Sequence, residues 1–318
     1  MINPEEFLKG IIKVKRAGTK FGKAPHKPIL LITLLELIDK GIVIDNCFHI
    51  DADLVGIFQE NWRLLVETAH QPDFTQPFYY LQSDKILGLP FWQIHTNTKQ
   101  PLHAHVKSVD KLSRLVDFAS FSFELYVILQ HVEHRTLFLN TLLNHFFPNT
   151  AKNYRLHKNL NDGFYKIIQS LVLNEQEGDV KRIELVSEED VFVRSNLFKR
   201  YIPQLYNDTC AVTGMQIRST YNYNFVDACH IVPFSISHDD RVTNGLALCP
   251  NIHRAFDRGL LGIDSNYRIQ VSSSVKDDTQ HPYSLKSLAN RQIILPNEEK
   301  FYPSKENLEW HFKEVFKL

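Results

Sequence analysis

The sequence has few cysteines, no excess of charge of either sign and no long apolar run. Four cysteines in 318 residues are too few and too scattered for a disulfide framework. The 36 basic residues balance the 36 acidic ones, which excludes the global basic field of a histone-like protein. No run approaches the roughly 18 apolar residues that a membrane span requires. Any surface for nucleic acid must therefore be local.

The chain nevertheless has enough apolar sequence to bury a core. Hydrophobic residues make up 43% of it, and its length favours about two domains. The N-terminal stretch MINPEEFLKG lacks the basic start and the apolar core of a signal peptide, so we expect a cytoplasmic protein. We expect an α+β fold in two domains.

The first part of the chain mixes helical and short apolar segments. A buried helix is predicted from Pro28 to Gly41, since proline suits the first helical position and glycine can end a helix. Short apolar segments follow, separated by Pro, Asp and Asn turns, and a long helical pattern then runs from Phe123 to Pro148. The short segments are IVIDNCFHI, LVGIFQENWRLL and PFYYLQSD.

A polar stretch predicts the connection between the domains. Residues 174–190 contain seven acids, two bases and one glycine. We place the first domain at residues 1–170, the linker at 171–193 and the second domain at 194–318. The helix predicted from VFVRSNLFKRYIPQLY then leads into CAVTG.

Three polar residues of the second domain share a recognisable local pattern. FVDACHIV ends at a proline and places His230 near the end of a strand. Asn244 stands in an Asn-Gly turn before a second strand. PNIHRAFDRG predicts a short helix from Pro250 to just before Gly259, with His253 in its first turns. Strand, loop, strand and helix predict a compact ββα unit.

These residue types suit phosphodiester hydrolysis. The reaction needs a base to activate water and a divalent cation to neutralise charge on the phosphate and on the leaving oxygen. His230 suits the first role, because an imidazole is largely free base at cellular pH. His253 with a carboxylate suits the second. Asn244 cannot titrate, and we expect it to hold the connecting loop or to orient the imidazole.

His230, Asn244 and His253 in these contexts resemble the HNH endonuclease family, a branch of the ββα-metal nucleases. The resemblance covers roughly residues 195–318, and its most specific part is NGLALCPNIHRAFDRGLL. It implies hydrolysis of double-stranded DNA with Mg²⁺ or Mn²⁺, with His230 as the general base. The products would carry 5′ phosphate and 3′ hydroxyl ends.

The metal site departs from the family pattern. Many members place a metal-binding Asp or His directly before the base, where this sequence has Cys229. We predict that Asp227 joins His253 as the second metal ligand. Asp257, one helical turn after His253, is the alternative, and it is equally suited to a contact on the helix surface.

We expect no structural zinc. CAVTG and CPNIH resemble the two CxxC pairs of HNH domains that bind a structural zinc. Thr213 and Ile252, however, occupy the positions of the second cysteine of each pair. Three scattered cysteines do not make a four-ligand site, although His238 is a candidate to complete one. We expect these cysteines to be buried, reduced thiols. They are Cys210, Cys229 and Cys249.

GKAPHKPILLITLLELI and QPFYYLQSDKILGLPFW resemble the sulfur-binding domain of phosphorothioate-dependent type IV restriction endonucleases, in which a similar domain precedes an HNH domain. Sulfur in place of a phosphate oxygen is softer and less strongly hydrated, which favours a shallow apolar pocket. Two groups of residues are expected to read it. Pro77, Phe78 and Tyr79 form the pocket, and His26 and Lys27, on the loop before the first buried helix, hold the neighbouring phosphates.

Each of these assignments has a structural alternative. PFYY also fits a core strand with an aromatic stripe, and His26 also fits a loop residue without a ligand. The stretch from Lys9 to Lys27 carries seven basic residues and no acid. It suits phosphate contacts, but it also fits a solvated helix face with its loop.

The sequence as a whole predicts a type IV restriction endonuclease that reads phosphorothioated DNA. Cutting both strands needs two active sites, so we expect a homodimer. Three alternatives stay open: an HNH nuclease that reads a methylated or hydroxymethylated base, a modified-DNA-binding protein with an inactive nuclease domain, and an unrelated α+β protein.

Overall fold

The computed structural model describes residues 3–98, 100–160, 164–173, 187–219 and 224–317, which form two compact units. The first unit comprises the described residues up to 167 together with 187–193, and the second comprises 168–173 and the described residues from 194 onwards. Both helices and strands are present, which confirms the mixed architecture. Among the described residues, no helix has the length and the apolar character that a membrane span needs.

The first unit is mainly helical, with three short antiparallel hairpins. Its helices are α1 (Pro4–Ile11), α2 (His26–Asp39), α3 (Ala52–Leu65), α4 (Thr75–Tyr80), α5 (Val109–Leu115), α6 (Phe123–Leu129), α7 (Val132–Phe146) and α8 (Ala151–Leu160). Two further helices, α9 (Phe164–Val172) and α10 (Glu188–Leu205), contain residues of both units. The hairpins of the first unit are β1 (Gly18–Thr19) with β2 (Gly22–Lys23), β3 (Lys85–Ile86) with β4 (Leu89–Pro90), and β5 (Trp92–Thr96) with β6 (Val116–Phe121).

The core of this unit forms around α2. Every residue from 28 to 38 is buried, because α3, α4 and α7 all pack against this helix. The apolar residues of α2 therefore occur on all sides of the helix and not on one stripe. Its interior also holds a buried carboxylate, Glu36, whose Oε1 lies 2.7 Å from the Lys158 Nζ. Burial raises the pKa of Glu36, but Lys158 and Lys40 outweigh burial and lower it overall.

The structure contradicts two local predictions for this unit and one of the alternatives. The helical pattern that begins at Phe123 forms two helices, α6 and α7, because His131 has an extended backbone between them. PFYY lies in a helix, α4, and not in a strand. His26 and Lys27 lie in the first turn of α2 and not on the loop before it, because Pro25 caps this helix.

The helix predicted before CAVTG is confirmed as α10, but it begins earlier than the apolar pattern suggests. Its first turns contain residues 188–193, which the sequence assigns to the linker. The remainder of the polar linker stretch, 174–186, lies outside the described residues. The domain boundaries at 170 and 193 stay predictions.

The second unit is built on a β-hairpin and the helix that follows it. The hairpin strands pair antiparallel with His230 opposite Gly245, and a second antiparallel pair follows. The elements are β7 (Asp227–His230), α11 (Phe234–Ser237), β8 (Gly245–Leu248), α12 (Pro250–Asp257), β9 (Leu261–Ile263), β10 (Ile269–Val271) and α13 (Lys305–Glu314).

Candidate active site

The predicted ββα unit is present as β7, β8 and α12. Pro250 is the first residue of α12. A backbone N–H at this position has no acceptor within the helix, so the missing N–H of proline costs no hydrogen bond. Gly259 follows the helix with φ +68°, and a Cβ there would lie 1.9 Å from the carbonyl oxygen of Val315. Only glycine fits both the left-handed turn and this close approach. These two residues fix the ends of the helix that carries His253.

His230, the predicted general base, is the last residue of β7, and its ring lies flat on Phe198 of α10. The two ring centroids are 3.9 Å apart and the planes differ by 9°. Gly245, opposite His230 in the hairpin, makes room for α10, since a Cβ there would lie 2.2 Å from Ile202. The close packing of α10 therefore sets the plane of the imidazole.

Asp240, a carboxylate that the sequence did not single out, fixes the rotation of this imidazole within its plane. Asp240 Oδ1 lies 2.9 Å from His230 Nε2, and the Asp240 side chain is 1% exposed. A carboxylate only accepts hydrogen bonds, so in the neutral imidazole this contact requires the proton on Nε2 and leaves the lone pair on Nδ1. The sequence indicates this partner of His230 only through the adjacent acids Asp239 and Asp240. It does not predict which of the two is buried.

Asn244 holds the loop between the two strands. Its Nδ2 donates to the carbonyl oxygens of Val232, at 2.9 Å, and Asp239, at 3.0 Å, and its Oδ1 accepts from the Val232 N–H at 2.9 Å. The side chain is fully buried. Of the two roles expected for Asn244, these contacts match the first. By fixing Asp239, they also position the neighbouring Asp240.

We expect Asn244→Ala to destabilise the second unit by about 2–5 kcal/mol, because each buried group left unpaired costs about 1–3 kcal/mol. The free energy of unfolding in urea, followed by a probe in this unit, measures the effect. Asn251→Ala is the matched control, since Asn251 is exposed on α12. An equal loss in both variants would contradict the role of Asn244 in holding the loop.

His253 lies between two carboxylates, one on each ring nitrogen. Asp227 Oδ2 is 3.3 Å from Nδ1, and Asp257 Oδ2 is 3.5 Å from Nε2. Cys229 lies on the other side of Asp257, with its Sγ 3.9 Å from Oδ1. Burial, Asp257 and Asp227 all raise the pKa of this thiol.

These side chains suit a divalent cation. The ligand atoms of Cys229, His253 and Asp257 all lie within 4.8 Å of one another. Imidazole nitrogen, carboxylate oxygen and thiolate sulfur are all ligands that proteins use for divalent metals. A metal-bound histidine usually donates its other N–H to a carboxylate, which is the position that Asp227 takes on Nδ1.

His230 and His253 open into one cleft of about 340 Å³, which Asp257 and Phe234 also line. His311 of α13 lines it too, and no motif in the sequence singles out this residue. Burial lowers the pKa of His311 to about 4, so this ring is neutral at cellular pH. It lies flat on Phe256 with 3.6 Å between the ring centroids. Its contacts are those of a residue that supports α12.

The cysteines of this unit are buried, as expected. Cys210 and Cys249 come together, and a hydrogen bond between their thiols lowers the pKa of Cys210 and raises that of Cys249. His238, the residue considered for completing a zinc site, is instead an exposed residue with φ 51° that packs on Phe234.

In the first unit, three of the five predicted recognition residues line a second cavity of about 290 Å³. They are His26, Lys27 and Pro77. Burial lowers the pKa of His26, and its Nε2 lies 3.0 Å from the carbonyl oxygen of Gln71. Lys27 forms an ion pair with the buried carboxylate of Asp84. Neither side chain therefore presents a free positive charge to this cavity.

The other two predicted recognition residues do not line this cavity. Phe78 is fully buried and packs against Phe74 and Trp92, so its place in the pocket is wrong. Tyr79 is half-buried, and its hydroxyl donates to the carbonyl oxygen of Leu102 at 3.3 Å. The next residue, Tyr80, lines the cavity instead and is 46% exposed. The helical turn of α4, and not strand alternation, decides which tyrosine faces outward.

The hairpin, the loop held by Asn244 and the helix bring His230 and His253 to one cleft, in the order strand, loop, strand and helix. Residues 210–264 match the family model described as HNH endonuclease, which confirms the predicted HNH domain. This segment contains His230, Asn244 and His253, as well as Asp240 and Asp257. The HNH domain is that of a DNA-cleaving nuclease.

The chain is also similar to parts of two known proteins. The chain is 31% identical over 97 residues to the "Type IV methyl-directed restriction enzyme EcoKMcrA" of Escherichia coli (strain K12). This match covers 30% of the chain and 35% of the relative, so the chain spans about a third of that relative's length. Among solved structures, it is similar to the "Modification dependent TagI restriction endonuclease", with 21% identity over 39% of each chain and a TM-score of 0.31.

Proposed function

We propose that the chain is a modification-dependent restriction endonuclease, in which the second unit cuts DNA and the first unit reads the modification. One observation carries the proposal of cutting. Within the segment that matches HNH endonucleases, His230 with its buried partner Asp240 shares a cleft with His253. A base and a metal-ligating histidine are the two parts that phosphodiester hydrolysis requires.

His230 starts the reaction. Its Nδ1 takes a proton from a water molecule, whose oxygen attacks phosphorus, and the P–O bond to the 3′ oxygen breaks, after which this oxygen takes a proton from solvent. Asp240 accepts the hydrogen bond from Nε2 and stabilises the imidazolium that forms, and Phe198 keeps the ring plane fixed. The products carry 5′ phosphate and 3′ hydroxyl ends.

A divalent cation, predicted to be Mg²⁺ or Mn²⁺, would neutralise charge on the phosphate and the leaving oxygen when bound. The contacts of His253 support a division of roles between its two carboxylate neighbours. Asp257, beside Nε2, would hold the ion together with His253, while Asp227 accepts from Nδ1 and orients the ring. This assignment replaces Asp227 as the carboxylate ligand.

The cavity of the first unit supports a sulfur-containing backbone as the modification. Pro77 and Tyr80 give it apolar walls, and Lys27 is neutralised by Asp84. A poorly hydrated sulfur atom loses less by entering such a cavity than a phosphate oxygen would. Lys15 and Arg16 also line it, and the proposal assigns to them the contacts with the neighbouring phosphates. The proposed substrate is therefore phosphorothioated double-stranded DNA.

Matched plasmids test this proposal. The full chain with Mg²⁺ or Mn²⁺ is incubated with phosphorothioated, methylated and unmodified forms of one plasmid. We expect cleavage of the phosphorothioated form alone. Equal cleavage of all three plasmids would contradict the dependence on a modification. Binding of modified DNA without cleavage in the presence of either metal would favour an inactive nuclease domain.

The name of one relative favours a second candidate. That enzyme is called methyl-directed, which supports a modified base as the feature that is read. Such a reader needs a pocket for a base turned out of the helix and is indifferent to sulfur. Cleavage of the methylated plasmid alone would select this candidate.

We expect Tyr80→Ser to weaken binding to phosphorothioated DNA about 10-fold, or about 1.4 kcal/mol, because it removes much of one apolar wall. Fluorescence anisotropy with matched duplexes, with and without sulfur, measures the effect. Tyr283→Ser is the control, since Tyr283 is 80% exposed and lies in the second unit. A loss of affinity that is equal for both duplexes would contradict a role in reading sulfur.

The proposal also includes a homodimer and a cytoplasmic location. Two-fold symmetry places one active site on each strand of the duplex. Sedimentation of the chain with and without DNA tests the dimer. A monomer at the concentrations that support double-strand cleavage would contradict it.

A further inference from the structure

Cys229 lies where the proposed metal site would gain a third ligand. Its Sγ is 3.9 Å from Asp257 Oδ1, and Asp257 Oδ2 is 3.5 Å from His253 Nε2. A tetrahedral ion with bonds of about 2.0–2.3 Å separates its ligands by roughly 3.3–3.5 Å. Small side-chain movements would therefore bring all three ligand atoms onto one ion.

The backbone already holds these three ligands in place. Cys229 is paired with Leu246 inside the hairpin, and His253 and Asp257 stand one helical turn apart on α12. The second carboxylate, Asp227, accepts from His253 Nδ1, which leaves Nε2 directed to the side where Asp257 lies. A strand and a helix that pack together thus present sulfur, nitrogen and oxygen to one point.

We infer that Cys229, His253 and Asp257 bind one divalent cation, which displaces the proton of the Cys229 thiol to solvent, and that the resulting thiolate makes this site favour zinc or cobalt over magnesium. Soft thiolate ligands select zinc-like metals, whereas sites made of oxygen ligands suit magnesium. The inference deepens the proposed function and rests on it, because the same ion serves the cut. It also changes the predicted metal, since a site of His253 and a carboxylate alone would suit Mg²⁺ or Mn²⁺.

Cobalt(II) reports a bound thiolate directly, because sulfur-to-cobalt charge transfer absorbs in the near ultraviolet. The full chain is stripped of metal and titrated with Co²⁺. The double variant Cys210→Ser/Cys249→Ser removes the other two buried thiols of this unit. We expect the band to grow to one equivalent in the wild type and in the double variant, and to disappear when Cys229→Ser is added.

The spectrum also defines what would overturn the inference. If the wild-type complex shows no charge-transfer band, or if the band persists without Cys229, this cysteine is only a packing residue. If Cys229→Ser fails to fold, the wild type and the double variant still test the ligand. The double variant keeps only Cys229 and Cys47, so a band in both proteins means that one of these two thiolates binds cobalt. Cys47→Ser, in the first unit, separates these two.

Metal preference gives a second readout. Cys229→Asp replaces the soft sulfur ligand by a hard oxygen ligand. We expect Zn²⁺ affinity to fall by at least about 10-fold, because the loss of a residue that only hydrogen-bonds to a metal ligand already costs about that much. Mg²⁺ affinity should not fall. Calorimetric titration with each metal measures both, and an unchanged ratio of the two affinities would overturn the inference.

Cleavage assays separate this inference from the proposed function. A charge-transfer band without cleavage under any metal would contradict the nuclease function and leave the metal site standing. Metal-dependent cleavage without the band would contradict only the role of Cys229.

Discussion

Replacing His230 by alanine should slow DNA cleavage by about 100- to 10,000-fold, the range that a positioned general base contributes. The proposed metal ligands lie on other side chains, so metal binding should not change. His230 is 22% exposed, and its removal takes away one aromatic stack and one hydrogen bond. Single-turnover cleavage of a modified duplex measures the rate.

His238→Ala is the matched control for this variant. His238 is an exposed histidine of the same loop, and its loss should leave the rate unchanged. A thermal unfolding curve for each variant separates a lost base from a lost fold. Cleavage that survives in a folded His230→Ala protein would contradict the mechanism.

Asp240→Asn should cost nearly as much, because it selects the wrong tautomer of His230. Oδ2 of Asp240 has no hydrogen-bond partner among the described residues, so an asparagine would place its carbonyl there and donate its NH₂ to Nε2. The proton of the imidazole then moves to Nδ1, which can no longer accept one from water. The same change beside the catalytic histidine of chymotrypsin-type proteases costs about 10,000-fold in rate.

The neighbouring residue provides the control. Asp239 accepts hydrogen bonds from Arg241 and makes no contact with His230 in the described structure, so Asp239→Asn should keep most of the activity. Metal binding should be the same in both variants. If Asp240→Asn cleaves at the wild-type rate, Asp240 does not set the tautomer of the base.

The active-site unit could be predicted from the sequence because its signals are local. A strand that ends at a proline, an Asn-Gly turn and a helix between Pro250 and Gly259 each depend on backbone preferences of a few residues. The structure has these elements in this order. His230, Asn244 and His253 therefore lie where their local contexts placed them.

The partners of those residues were not predictable, because they depend on contacts between distant elements. Asp239 and Asp240 are adjacent acids in the sequence, and the contacts of the folded loop decide that the second one is buried. Phe198 stands 32 positions before His230, on another helix. In the first unit, α4 has six residues, too few to show a helical period, so PFYY did not reveal which tyrosine faces the cavity.

The order of the elements in the second unit and the residue types that carry its chemistry can be read from the sequence alone, since both follow from short-range backbone preferences and from side-chain pKa. How those residues are used depends on the folded structure. It placed Asp240 on the base, gave His253 a different carboxylate on each nitrogen, and brought Cys229 beside Asp257. The physical reason is that hydrogen bonds and metal ligation act over about 2–4 Å between side chains, and the spacing of residues along a chain does not specify those distances.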